Sequence, residues 1–167
     1  MYAKVCSTRE SLSLDGDLKT VSKLVAYELK QKYPGLTFEK RYRSNNHKAG
    51  CEPDGGIFYY NGRMIVAAEA KHQGRKGNAI ERWYKNNFVL RQASPTLTYI
   101  TYATGEGAVE GEVICKTLSP AHPDGFNHYK LGGNVCYTEP EGFIPEVMYE
   151  SLKGAIIDQI NHTHAYE

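Results

Sequence analysis

The sequence predicts an α/β fold with a central mixed β-sheet flanked by α-helices. Asn61-Gly62 separates two β-rich runs, Gly56 to Tyr60 and Met64 to Ala70, and is typical of a tight hairpin. A helical stretch that opens at Gly77-Asn78 leads into the β-branched and aromatic run Thr96 to Ala103. A hairpin pairs strands antiparallel, whereas a strand reached through a helix is parallel to its neighbour, so the sheet should be mixed.

A first helix is predicted to run to about Lys32, with Asp15 or Asp17 as its N-cap and Tyr33-Pro34-Gly35 as its end. Apolar side chains recur along it at helical spacing, at Leu18, Val21, Leu24, Val25 and Leu29. Glu28 falls within this stripe. A carboxylate there is costly to bury unless it is paired with a cation or bound to a metal ion.

The other elements follow from shorter patterns. Leu36 to Tyr42 alternates in polarity and is predicted to be a strand beside the hairpin, and the following loop offers Lys48 to phosphates. Two short strands, a helix and a frayed tail are predicted at Val113 to Thr117, Asn134 to Thr138, Pro145 to Ile160 and Asn161 to Glu167. The apolar face of that helix is expected to form either core or a dimer contact.

The two-residue turn predicts a register in which Tyr60 faces Arg63 and, six residues further out on each arm, Asp54 faces Glu69. Like charges in direct opposition destabilise a sheet, which suggests that a divalent cation lies between them. Lys71 lies two residues beyond Glu69 and therefore points to the same face. Alternatively, Asp54 belongs to a simple Pro-Asp-Gly-Gly turn, and a bulge at its glycines would shift the register.

Composition limits the class of protein. The 167 residues are expected to form a single domain, 1–167, with a hydrophobic fraction of 41% and a charged fraction of 23% that are ordinary for globular proteins. There is no long apolar run and no signal-peptide pattern, so a cytosolic protein away from membranes is expected. The four cysteines show no CxxC pairing, which argues against a zinc site and makes reduced thiols the default.

The net charge is only +1, but the charges are unevenly distributed. From Lys40 to Lys85 there are ten Lys and Arg against four Asp and Glu, a balance of +6. From Thr104 to the end there are three Lys against ten acids, a balance of −7. This asymmetry indicates a basic face for a polyanion, although a mixed solvated surface would show the same composition.

Short sequence blocks also resemble a known family. Pro53-Asp54 followed by Glu69-Ala70-Lys71 has the form of the PD-(D/E)XK nuclease motif. With AEAKHQG and the block GNAIER at Gly77 to Arg82, the chain resembles the EcoRI-type type II restriction endonucleases of that superfamily, in which these blocks occur in this order. The match covers Pro53 to Asn86, roughly a fifth of the chain. The family's namesake carries a long insertion where this chain has Arg75-Lys76, so DNA-wrapping arms are expected to be absent.

The resemblance implies a restriction-endonuclease-like core and hydrolysis of double-stranded DNA at a short palindromic site with an AATT-type centre. Catalysis would depend on Mg²⁺, with Mn²⁺ as a substitute, held by Asp54, Glu69 and the Ala70 carbonyl. Lys71 would orient or activate the attacking water, and Glu28 is the candidate helical acid that supports the metal. A homodimer is implied, because a two-fold protein matches a two-fold site.

The same resemblance implies that Asn78, Glu81 and Arg82 read the DNA. Asn and Arg can bond base edges in the major groove, where each base pair is distinguishable. A helix start explains two of these residues equally well, since Asn78 at the N-cap and Glu81 at N3 form a capping box. The remaining expected DNA contacts are His72, Arg75, Lys76 and Lys48.

Two other functions are compatible with the sequence. One is a repair or phage nuclease of the same fold with loose sequence preference. The other is a catalytically silent DNA-binding module, which the intact Asp54, Glu69 and Lys71 argue against.

Overall fold

The structure, a computed structural model, describes residues 14–43, 50–72, 79–108 and 133–165. These residues form a five-stranded sheet with helices packed on both faces. The strands are β1 (Leu36–Glu39), β2 (Ile57–Tyr60), β3 (Arg63–Lys71), β4 (Thr98–Ala103) and β5 (Asn134–Thr138). The helices are α1 (Leu14–Lys32), α2 (Ala79–Ala93) and α3 (Pro145–Ala165).

The sheet is mixed, as the sequence predicted. Its order is β1-β2-β3-β4-β5, and the pairs β1-β2 and β2-β3 are antiparallel. The pairs β3-β4 and β4-β5 are parallel, and α2 is the crossover that connects β3 to β4. The predicted strand Val113 to Thr117 lies outside the described residues.

Two hydrophobic cores hold the layers together. On one face of the sheet, α1 and α3 pack together through fully buried side chains such as Val21, Val25 and Ile156. On the other face, α2 packs through Trp83 and Leu90. The period-2 alternation of the strands explains why neighbouring residues of β3 and β4 supply both cores.

Three predicted boundaries are wrong. α1 begins at Leu14, so Asp15 and Asp17 lie within its first turn and neither is its N-cap. β1 ends at Glu39, and Tyr42 makes a single bridge to Cys51 instead of extending the strand. α3 continues to Ala165, so the tail is helical where fraying was expected, because Ile160 is fully buried and anchors the last turns. None of the helices in the described ranges is long and apolar enough to cross a lipid bilayer.

The hairpin forms as predicted, but its register changes along its length. Asn61 and Gly62 both adopt positive φ, 51° and 82°, and the pairs Tyr60–Arg63 and Tyr59–Met64 are found. A bulge between Phe58 and Tyr59 then shifts the register, so that Phe58 pairs with Val66. In consequence the direct opposition of Asp54 and Glu69 is wrong: the Asp54 side chain meets the backbone of Ala70 instead.

Candidate functional site

A pocket of about 450 Å³ lies at the carboxyl end of β3, between the N-terminal turn of α1 and one face of α2. Ligand sites in α/β sheets commonly lie beyond the carboxyl ends of the strands. The pocket is lined by Leu14, Asp15, Glu52, Asp54, Glu69, Ala70, Lys71, His72, Arg82, Trp83 and Asn86. The two predicted acids and the predicted lysine therefore share one pocket despite the shifted register.

Asp54 is placed by the tight turn before β2. A Cβ added to Gly55 would stand 2.8 Å from the Cβ of Ala68 and 2.9 Å from the Cγ of Leu18, so only glycine lets the turn approach β3 and α1 so closely. Asp54 Oδ2 accepts a hydrogen bond from the Ala70 amide at 3.1 Å. Burial, followed by the negative charge of Asp15, raises the pKa of Asp54 to about 6.

Glu69 is the buried acid of the pair, with 7% of its surface exposed. The Tyr99 hydroxyl donates to Glu69 Oε2, and Asn86 Nδ2 donates to Oε1 at 3.3 Å. Burial raises the pKa of Glu69 to about 7, and the charge of Asp54 acts in the same direction. Two donors thus orient a carboxylate whose burial makes it costly to ionise.

Lys71 lies on the same side of β3 as Glu69 and is 4% exposed. It pairs with Ala103 at the end of β4, and its own carbonyl accepts a hydrogen bond from the Thr104 amide at 2.9 Å. Its backbone is therefore held against the end of β4.

The donor set fits Mg²⁺ bound with few protein ligands. Among the described residues, no group of three or more His, Cys, Asp or Glu side chains could hold a metal ion. Mg²⁺ commonly takes one or two carboxylates and retains several waters, which Asp54, Glu69 and the Ala70 carbonyl could satisfy. Each carboxylate oxygen keeps a further lone pair beside the hydrogen bond described above. Burial raises the pKa values of both acids, and a divalent cation would offset the electrostatic cost of ionising them.

Glu28 does not reach this pocket, contrary to expectation. It accepts a hydrogen bond from the Tyr149 hydroxyl of α3, and it lies thirteen positions along the helix from Asp15, about 20 Å at 1.5 Å per residue. The acid that α1 brings to the pocket is Asp15, which the sequence marked only as a possible helix cap.

The structure describes only some of the residues that were predicted to contact DNA. Arg82 is exposed and lines the pocket, where its charge offsets a small part of the rise in pKa that burial causes at Asp54 and Glu69. His72 also lines the pocket, with Nδ1 2.9 Å from Thr104 Oγ1, and Glu81 is exposed in the first turn of α2. The residues that lie outside the described ranges are Asn78, Arg75, Lys76 and Lys48.

We predict that metal affinity rises with pH across the range in which Asp54 and Glu69 ionise, because both carboxylates must be ionised to bind the metal ion. The apparent affinity for Mn²⁺ should increase at least about tenfold between pH 6 and pH 8, given pKa values of about 6 and about 7. Trp83, the chain's single tryptophan, lines the pocket, so its fluorescence can report binding.

The metal-free protein should show the opposite trend in stability. Since both folded-state pKa values are raised, the stability contribution of Asp54 and Glu69 is complete below about pH 4 and is lost as the pH rises through 6 to 7. Mn²⁺ should therefore raise the melting temperature more at pH 8 than at pH 6. Equal stabilisation at both values would contradict the assignment of these acids.

Comparison with known proteins gives one significant relative. The chain is 28% identical to the type II restriction enzyme EcoRI of Escherichia coli over an alignment of 158 residues, which covers 63% of this chain and 54% of that enzyme. The chain thus spans about half the length of the curated relative it matches. No family model matches the chain, and no solved structure matches it significantly.

Proposed function

We propose that this chain is a Mg²⁺-dependent type II restriction endonuclease that hydrolyses phosphodiester bonds in double-stranded DNA. The observation that carries the proposal is one pocket that contains Asp54, Glu69 and Lys71 and has Arg82 at its edge. The similarity to a restriction enzyme supports the same class of reaction.

The residues of the pocket suit phosphodiester hydrolysis. Asp54, Glu69 and the Ala70 carbonyl would hold Mg²⁺, while Tyr99 and Asn86 keep the Glu69 carboxylate oriented. The bound ion would offset the charge that develops on the phosphate and make water more acidic. Lys71, on the Glu69 side of the pocket, would orient the attacking water or contact the phosphate.

Recognition is assigned to the N-terminal turn of α2. Glu81 and Arg82 lie in the first turn of this helix, Arg82 lines the pocket, and Asn78 precedes the helix in the sequence. The proposal includes a palindromic site with an AATT-type centre and a homodimer, whose two pockets would face the two strands.

Digestion of a sequenced plasmid in Mg²⁺ tests the proposal. Discrete fragments with common ends are expected, and the same incubation with EDTA should leave the plasmid intact. A smear would favour a sequence-tolerant nuclease. Absence of cleavage on a broad set of duplexes would favour a DNA-binding module without catalysis.

Substitutions of Arg82 can distinguish recognition of base edges from the general attraction of DNA by a positive charge. We predict that Arg82→Lys keeps the affinity for unrelated duplex but loses about tenfold or more in discrimination, because lysine cannot form the bidentate contact to a base edge. Arg82→Ala should lose discrimination and also weaken binding to unrelated duplex. The measurement is competition between the cleaved site and single-base variants of it, in Ca²⁺ to prevent cleavage. Unchanged discrimination in both variants would show that Arg82 does not read bases.

A further inference from the structure

A basic cleft adjoins the acidic pocket. It has a volume of about 470 Å³ and is lined by Lys19, Lys23, Phe38, Lys40, Gly50, Glu52, Pro53, Asp54, Gly56, Arg82, Lys85 and Asn86. Five of these residues are Lys or Arg, and two are acids. Because Asp54 and Arg82 line both cavities, the cleft and the pocket form one continuous surface.

Two of the lysines come from α1, a helix that the sequence did not connect with DNA. Lys19 and Lys23 are four residues apart, so both lie on one exposed side of the helix. The opposite side carries Leu18 and Val25, which are fully buried, so the helix is anchored to the sheet. Lys19 and Asp54 line the same cleft, so α1 holds this ammonium near the acidic pocket.

The other lysines come from two further elements. Lys40 follows β1, and its Nζ lies 3.4 Å from Glu52 Oε1. Lys85 extends from α2 and donates a hydrogen bond to the Gly50 carbonyl at 3.4 Å. Like charges four residues apart on a helix destabilise it slightly, and lysines gathered from three elements also repel one another. A polyanion in the cleft would remove that repulsion.

We infer that this cleft binds the sugar–phosphate backbone of duplex DNA next to the bond that is cleaved, with Lys19 and Lys23 as phosphate contacts. The inference rests on the proposed function. A strand whose reacting phosphate lies at Asp54 and Glu69 can continue past Arg82 into the cleft, where its next phosphates meet cations. These contacts position the strand and carry no sequence information.

The salt dependence of binding tests this inference. We predict that the double variant Lys19→Gln/Lys23→Gln binds a labelled duplex of unrelated sequence more weakly and with a flatter dependence of log affinity on log salt. Each lost phosphate contact should reduce the slope by about 0.9, so the double variant should lose about two units and Lys23→Gln about one. The change in Trp83 fluorescence at saturating Mn²⁺ should stay as in the wild type, since neither lysine lines the acidic pocket.

The matched control is Lys30→Gln/Lys32→Gln, which removes the same charge from exposed positions at the far end of α1. Its slope should equal that of the wild type. If the wild-type protein binds and cleaves DNA while the Lys19/Lys23 variant keeps the wild-type slope of log affinity against log salt, only the assignment of the cleft to the DNA backbone is wrong. If the wild type shows no salt-dependent binding to any duplex, the proposed function itself is contradicted. Competition by a single-stranded oligonucleotide as strong as that by the duplex would overturn duplex DNA as the occupant.

Discussion

Asp54→Asn is expected to reduce DNA cleavage by at least about 10³-fold and to leave the fold intact. Loss of a metal ligand removes several kcal/mol of transition-state stabilisation, and each 1.36 kcal/mol corresponds to a factor of ten in rate. The fold should survive because the Asn carbonyl oxygen can still accept the hydrogen bond from the Ala70 amide. Initial rates on a supercoiled plasmid, with purified protein of confirmed secondary structure, measure the effect.

Thermal melting separates this effect from general damage. Above pH 6 the ionised Asp54 disfavours the metal-free fold, so the neutral variant should melt at least as high as the wild type at pH 8. Mg²⁺ should stabilise the wild type much more than the variant. The control Asp158→Asn makes the same chemical change at an exposed position of α3 and should be fully active. Full activity of Asp54→Asn would refute its assigned role.

Lys71→Met is expected to reduce cleavage by about 10²–10⁴-fold while metal and DNA binding persist. Methionine keeps most of the aliphatic stem in a position that is 4% exposed, so the main change is loss of the ammonium group. The measurement combines single-turnover cleavage rates with duplex affinity in Ca²⁺ and Mn²⁺ affinity from Trp83 fluorescence.

The pattern of losses identifies the role of this lysine. A lower rate with unchanged Mn²⁺ affinity and unchanged duplex affinity assigns Lys71 to the chemical step. An equal loss of metal affinity would instead indicate that Lys71 organises the two carboxylates. Lys30→Met, at an exposed position of α1, controls for removal of a positive charge and should cleave at the wild-type rate.

Local signals account for most of the fold that the sequence predicted. Asn61-Gly62 requires a turn with positive φ, and the apolar stripe of α1 requires a buried face, so both elements could be read from a few residues. The bulge between Phe58 and Tyr59 carries no comparable signal. It falls within the uniformly buried run of β3 that contains Ile65 and Val66, where the sequence shows no polar alternation for a bulge to interrupt.

The candidate site was predictable where it depends on spacing within one strand. Glu69 and Lys71 share a side of β3 because they are two residues apart, and this placement needs no tertiary information. The supporting groups depend on the packing of distant elements. Asn86 is one helical turn beyond Arg82, and this spacing could have indicated that both side chains lie on the same side of α2. All residues of β4 are buried, so no sequence pattern distinguishes Tyr99 from its neighbours.

Glu28 shows the limit of periodicity. The pattern placed it correctly on the stripe of α1, but its partner is Tyr149, 121 positions later in the chain. A stripe indicates that a face is covered and not which element covers it. Asp15 was missed for the related reason that a helix-capping position explained it completely.

The central claim is that Asp54 and Glu69 together hold one divalent cation beside Lys71. Anomalous diffraction from a crystal soaked in Mn²⁺ at pH 8 tests it most directly. We predict one strong peak within bonding distance of both carboxylates, and no such peak in Asp54→Asn crystals soaked in the same way. Wild-type crystals with both side chains well ordered and no anomalous peak between them would contradict it.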